Sequence, residues 1–377
     1  MQSKDRLAFT FQTHTGSPTG YAESATVLMS ELIRSGCEVH YQALGDDYIY
    51  ETPTYDLMVN SMRAIEPEDD LVWVCYGPAP MFHGNAGKYK VGWTMIEVDR
   101  ITERWVRACN KMDEVWVPTP MQKTIFEHSG VRVPVYVVPI AINTEQFRPD
   151  FVPAVYHGEH KFRFITSSFW QLRKRFDLLI IAFAEEFAGE KDVGLIIKTL
   201  TMQPMEEILG QVSTWVGHRL DDQLAIVEGA FPWWEYVMMM RSAHAFVLPT
   251  AGEGYGCPPV QALACGLPVI VTDCMGPGEV LRDDGGQPFP GVKFLPCEKA
   301  PCEVHHDYYD GSNWWVPDIR DIRAAMREVY TNYAKWGLDA QVGAQMVRSL
   351  RSPAAAASIV KDQLRRIYGN MESGKGV

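Results

Sequence analysis

No stretch of this 377-residue sequence approaches the roughly 18 consecutive apolar residues that a membrane-spanning helix needs. The opening Met1-Gln2-Ser3-Lys4-Asp5-Arg6 also lacks the long apolar core of a secretory signal. Positive charge is scarce: 35 Lys and Arg stand against 47 Asp and Glu, a formal charge of −12. Non-specific nucleic-acid affinity rests on clustered cations, so this balance argues against a general polyanion binder. The eight cysteines are scattered. Cys297, Cys302, His305 and His306 come nearest to a zinc set, but they lack the paired Cys-x-x-Cys and His-x-x-x-His spacing. We therefore expect reduced, buried thiols and no metal. The setting we expect is cytoplasmic, with peripheral contact at the inner face of a membrane left open.

With 46% hydrophobic and 22% charged residues, the composition is that of an ordinary globular protein, and the length suits two average domains. The stretch Leu248 to Ile270 organises the rest. An apolar strand from Ala245 to Leu248 meets Gly252-Glu253-Gly254-Tyr255-Gly256, a helix of small residues follows, and a second apolar strand runs from Pro268 to Val271. This is a βαβ unit with a polar loop at the carboxyl end of a strand, where parallel sheets hold ligands. Gly254 and Gly256 allow close backbone approach, and Glu253 can accept hydrogen bonds from hydroxyls. The competing reading is a tight turn whose glycines serve geometry alone.

A similar strand, glycine-rich loop and helix open the chain: Leu7 to Phe11, then Thr13-His14-Thr15-Gly16-Ser17-Pro18-Thr19-Gly20, then a helix from about Tyr21 to Arg34. Further strands are predicted at 38–44, 55–59, 71–76, 90–96, 114–117 and 135–138, with helices at 101–111 and 120–129. Strands alternating with helices imply a parallel sheet covered on both faces. Asn143 to Glu159, with Pro149 and Pro153, reads as a linker. A second alternating series starts at 161–168 and continues with strands at 193–198 and 223–227. After its first strand come Arg173-Lys174-Arg175 at a loop-to-helix junction. Cations there oppose the helix dipole, so they form either a solvated face or a diphosphate site. Trp233, Trp234 and Met238 to Met240 read as the core face of a helix, and His244 as a packed or hydrogen-bonded histidine. Glu97 and Asp99, just past a strand end, are ligand candidates, with helix capping by Asp99 as the alternative.

Taken together, the Gly-Glu-Gly-aromatic-Gly turn, Trp93 to Arg100, Asp113 to Thr119 and Val137 to Ile140 resemble the retaining GT-B glycosyltransferases of glycosyltransferase family 4, the glycosyl transferases group 1. The resemblance runs from about residue 7 to 365 and is strongest over 223–275. It implies an α/β fold of two Rossmann-like domains facing across a cleft. The acceptor-side domain would span 1–150, with a C-terminal helix at 354–370 packed back on it, and the donor domain 151–353. It also implies transfer of a sugar from a UDP- or GDP-sugar to a hydroxyl acceptor with retention, needing no metal. Lys174 falls at the family's phosphate-binding lysine. The arginine expected upstream is replaced by the Ser167-Ser168-Phe169 neighbourhood, so Arg173 or Arg175 would substitute.

By the same resemblance, Glu253 would bind sugar hydroxyls, and Gly16, Gly229, Phe231, Gly254, Tyr255, Gly256 and Gln261 would line the donor. His14, Glu97 and Asp99 would be on the acceptor side. Seven residues separate Glu253 from position 261, as they separate the family's two acids, but position 261 is glutamine. Glutamine keeps an acceptor oxygen and loses the charge. Two alternatives follow: a silent sugar-nucleotide or glycan-binding protein, and a transferase acting on a modified DNA base. The latter would need a basic entrance such as Lys88, Lys90, Arg100, Arg104 and Arg107 could form, against the acidic balance. The acceptor could otherwise be a glycan, a lipid-linked sugar or a small molecule.

Overall fold

The structure is a computed structural model that describes residues 7–15, 19–44, 71–150, 160–200, 210, 214, 222–304, 306 and 308–373. The predicted strand at 55–59, Gly16, His305 and residues 151–159 of the linker lie outside them. The chain divides into two compact units: Met1–Asn143 with Asp307–Asp310 and Leu350–Val377, and Thr144–His306 with Gly311–Ser349.

Unit 1 is built on β1 (Ala8–Thr13), β2 (Glu38–Ala43), β3 (Val72–Tyr76), β4 (Tyr89–Trp93), β5 (Glu114–Val117) and β6 (Val135–Val137), all parallel in the order β2-β1-β3-β4-β5-β6. β3 reads Val-Trp-Val-Cys-Tyr and is buried throughout, as expected of a parallel strand covered on both faces. Its helices are α1 (Gly20–Arg34), α2 (Glu103–Cys109) and α3 (Pro120–His128). The Thr19 hydroxyl accepts from Ala22 N–H at 3.3 Å to start α1, and Thr119 accepts from Gln122 N–H at 3.4 Å to start α3. Tyr76, Trp93 and Trp116 pack ring against ring in the core, tilted and then edge to face, with centroids 4.8 and 5.5 Å apart.

Unit 2 repeats the plan. Its strands β7 (Phe162–Ser167), β8 (Val193–Thr199), β9 (Leu224–Glu228), β10 (Ala245–Leu248), β11 (Val269–Thr272) and β12 (Val292–Leu295) run parallel in the order β12-β11-β10-β7-β8-β9. The helices are α4 (Phe176–Phe187), α5 (Trp233–Arg241), α6 (Cys257–Ala264), α7 (Met275–Val280), α8 (Ile319–Thr331) and α9 (Tyr333–Leu350). An antiparallel hairpin, β13 (Cys297–Pro301) and β14 (Asn313–Pro317), is added before α8. The last helix, α10 (Pro353–Glu372), is started by Ser352, whose hydroxyl accepts from Ala355 N–H at 3.3 Å, and belongs to unit 1. There the Tyr368 hydroxyl donates to the Ala8 carbonyl, and Arg366 forks onto both oxygens of the buried Glu114 at 2.7 and 2.8 Å.

Trp233 and Trp234 do not lie on the core face of their helix. Trp233 and Trp234 are 39% and 46% exposed, whereas Val237, Met239 and Met240 of the same helix are buried. The two tryptophans form the first turn of α5, at the carboxyl rim of the sheet, and only the following turn reaches the sheet face.

Candidate functional site

In unit 2, chain order runs outward from β7 in one direction to β8 and β9, then returns to the other side as β10, β11 and β12. The reversal lies between β7 and β10, so the loops that leave their carboxyl ends diverge from a common point. In open α/β sheets that point is a crevice suited to ligands. The loop after β7 carries Arg173, Lys174 and Arg175; the loop after β10 carries Glu253.

These two loops are laced together. The Arg173 carbonyl accepts from Ala251 N–H at 2.6 Å and from the Thr250 hydroxyl at 3.1 Å. The Arg173 guanidinium donates to the Gly252 carbonyl at 2.7 Å and lies 3.5 Å from Glu253 Oε2. Lys174 Nζ donates to Glu253 Oε1. β14 holds the same loop from the other side, where Trp315 N–H donates to the Ala251 carbonyl at 2.8 Å. Arg173, Lys174 and Arg175 are only 8%, 5% and 9% exposed, so the three cations are not a solvated face, and Glu253 is buried with them. Burial pushes the Glu253 carboxyl up, but Lys174 and Arg173 outweigh it through charge and hydrogen bonds, and the net shift is downward.

Arg175 parts company with its neighbours. It takes a left-handed backbone, φ 54° and ψ 42°, which turns the chain from the short 3₁₀ segment Leu172–Lys174 into α4. Its guanidinium pairs with Asp177 at 2.9 Å and with Glu303 at 3.1 Å. Of the two proposed stand-ins for the missing upstream arginine, Arg173 is therefore the one beside Glu253.

At Gly256 packing alone demands glycine. Gly256 has φ 82°, and a Cβ there would stand 2.6 Å from Pro277 Cγ. A Cβ on Gly276 would stand 2.5 Å from Tyr255 Cα, while its N–H donates to the Glu253 carbonyl at 3.1 Å. Pro258 and Pro259 occupy the first turn of α6, where their missing N–H groups cost nothing. Tyr255 and Gln261 are buried beside the turn, and Gln261 lies on α6.

Further along the rim, Gly229 N–H donates to the Thr199 carbonyl at 3.0 Å, so the loop after β9 starts beside the end of β8. Phe231 in that loop lies 5.9 Å from Lys198 Nζ. In the sequence Lys198 shows only as the end of a predicted strand. His244 precedes β10 and is a packing residue: its Nδ1 accepts from Arg163 N–H at 3.1 Å, its ring stacks on Phe162, and burial lowers its pKa to about 4.

In unit 1, His14 follows β1, and Glu97 and Asp99 follow β4, two strands away in the sheet. Glu97 receives the Tyr309 hydroxyl at 3.5 Å, a contact no local spacing could reveal. The Tyr21 hydroxyl accepts from Met95 N–H at 3.1 Å, just past the end of β4, and burial raises its pKa. The helix after Asp99 begins at Glu103 with Thr102 in the N-cap position, where the Thr102 side chain makes no capping hydrogen bond, so Asp99 is not its cap. Among the described residues no group of three or more His, Cys, Asp or Glu is arranged to hold a metal ion, and no helix is long and apolar enough to cross a membrane. Burial pushes the thiols of Cys75, Cys109 and Cys265 up to about 12.

Residues 161–294, which span this site, match the family model for glycosyl transferases group 1. No curated protein sequence matches the chain. Solved structures do. Alr3699/HepE from Anabaena, in complex with UDP and glucose, superposes with a TM-score of 0.66 at 14% identity, over 96% of this chain and 100% of that one. Sucrose-phosphate synthase from Thermosynechococcus elongatus gives 0.70 at 12% identity, over 97% and 100%. OtsA in its apo form gives 0.65 at 9% identity, over 95% and 99%. At such identities the likeness is one of fold: two Rossmann-like parallel sheets, the GT-B architecture.

Proposed function

We propose that the protein is a glycosyltransferase that moves a sugar from a nucleoside-diphosphate sugar to a hydroxyl acceptor, with retention of anomeric configuration. The observation that carries this reading is the buried Arg173–Lys174–Glu253 cluster at the unit 2 switch point. It has two cations to one carboxylate, so an excess positive charge is held where a diphosphate would lie. The matched family model covers this cluster, and HepE was crystallised with UDP-glucose, which supports the same ligand class here.

In this reading the C1–O bond to the leaving phosphate breaks while the acceptor oxygen bonds to C1 on the same face of the sugar. The departing phosphate oxygen takes the acceptor proton, so no side-chain base is needed. Lys174 and Arg173 neutralise the charge that grows on the nucleoside diphosphate, without requiring a metal ion. Glu253 holds both cations in place and receives sugar hydroxyls. Gln261 offers an uncharged acceptor to the ribose hydroxyls. On the acceptor side, His14, Glu97 and Asp99 would contact the incoming hydroxyl compound. Positioning of the reactants would contribute about 7–11 kcal/mol, and one well-placed charge-stabilising donor roughly 3–4 kcal/mol.

The test is to incubate the purified protein with UDP-, GDP-, ADP- and TDP-sugars, measuring binding and the slow release of nucleoside diphosphate to water or to added acceptors. Selective binding of one class with release is expected. Lys174→Ala should lower release by about 10²–10³-fold while keeping the circular dichroism of the parent. No binding of any sugar nucleotide, or an undiminished Lys174→Ala variant, would overturn the reading.

A further inference from the structure

The carboxyl rim of unit 2 holds one more cation, which the ion-pair cluster does not absorb. Lys198 is the penultimate residue of β8, in register with Ser167 of β7 and Val227 of β9, and its carbonyl accepts from Ser168 N–H at 3.1 Å. Its ammonium is 5.9 Å from the Phe231 ring centroid and 5.8 Å from that of Tyr236. Among the described residues it has no ion pair; Glu228, at the end of β9, is exposed and not joined to it. The side chain is half-buried, and burial lowers its pKa. A half-buried ammonium held only by ring faces still has three N–H donors to place.

The rim around it has a distinct chemistry. On the far side of the switch point, Asp273 beyond β11 is tied to Arg282 at 2.6 Å. On the Lys198 side stand Phe231 and the exposed Trp233 and Trp234. The paired cations that would neutralise a diphosphate are at residues 173 and 174. Flat aromatic faces with a single ammonium suit a planar heterocycle that carries an oxygen on its edge.

Building on the donor reading above, we propose that Lys198 donates to the exocyclic carbonyl oxygen of the nucleobase, O4 of uracil or O6 of guanine, and so selects oxo-bases over amino-bases. Cytosine and adenine present an amino group at the equivalent position. Against an ammonium that sets donor against donor.

The experiment is calorimetric titration of UDP against CDP and of GDP against ADP, with the parent protein, Lys198→Met and Lys198→Arg. The parent is expected to hold the oxo member of at least one pair about tenfold or more tighter, the size of a hydrogen bond to a charged group. Lys198→Met should shrink that ratio to about threefold or less, whereas Lys198→Arg, which keeps donors, should retain most of it. A parent without base preference, an unchanged ratio in Lys198→Met, or equal weakening of all four ligands would overturn the proposal while leaving the donor reading intact. Failure of the parent to bind any of the four, or TDP, would overturn both.

Discussion

Glu253 lies under two opposing influences: burial favours its protonated form, and Lys174 and Arg173 favour the charged one and prevail. A carboxyl whose folded pKa lies below its unfolded value of about 4.3 binds fewer protons folded than unfolded through that interval. Its contribution to stability is therefore present above the unfolded pKa and lost as pH falls through the folded one. Other carboxylates weaken the fold in acid too, so the informative quantity is a difference. Glu253→Gln should be less stable than the parent at pH 6, and the gap should narrow as pH falls below the unfolded pKa of about 4.3. Denaturant unfolding at a series of pH values measures it; parallel curves would show that Glu253 keeps an ordinary pKa. That Glu253 and Lys174 are site candidates could be read from a glycine-rich turn and from cations at a helix start. Their contact could not, because it joins residues 79 apart through the adjacency of β7 and β10. Lys198 went unread for a simpler reason: a lysine that ends an apolar strand looks like the point where the strand meets water.

Elements with unbroken apolar runs and clear punctuation were the legible ones. β5 spans Glu114–Val117 as expected, bounded by Asp113 and Pro118, although Glu114 itself turns inward. β1 runs on to Thr13, past the expected end at Phe11, because Gln12 and Thr13 are polar yet buried in the sheet. The hairpin β13–β14 was missed: Cys297–Pro301 is mostly exposed and polar, so neither an alternating nor a continuous apolar pattern marks it. The docking of α10 rests on a similar long-range device. Glu114 accepts from Tyr89 at 2.9 Å, from Trp116 Nε1 at 2.6 Å and from Arg366, whose guanidinium also lies 4.1 Å from the Tyr136 ring centroid. Arg366→Met would leave that carboxylate with two neutral donors. We expect a loss of roughly 2–4 kcal/mol, less than for a fully buried pair because water can partly replace the guanidinium. A double-mutant cycle with Glu114→Gln, read by urea unfolding, checks it: additive losses would mean that the pair does not anchor the helix.

At the scale of the whole molecule, two repeated alternations of strand and helix declared two parallel sheets. The assignment of α10 and of Asp307–Asp310 to unit 1 depends on contacts made far from their neighbours in sequence. A chain with two cores need not unfold as one body. A ligand bound to the rim of unit 2 stabilises the folded form of whatever cooperative unit contains that rim, by about 2.7 kcal/mol at a free concentration one hundred times its Kd. If each core is its own cooperative unit, a saturating nucleoside diphosphate should slow hydrogen exchange at the core amides of β7, β8 and β10 by about one hundredfold, while those of β3 and β5 keep their rates. Hydrogen-exchange mass spectrometry resolves these strands. Equal slowing in both sets would show that the two sheets open together, and slowing in β3 and β5 alone would place the nucleotide on the wrong unit.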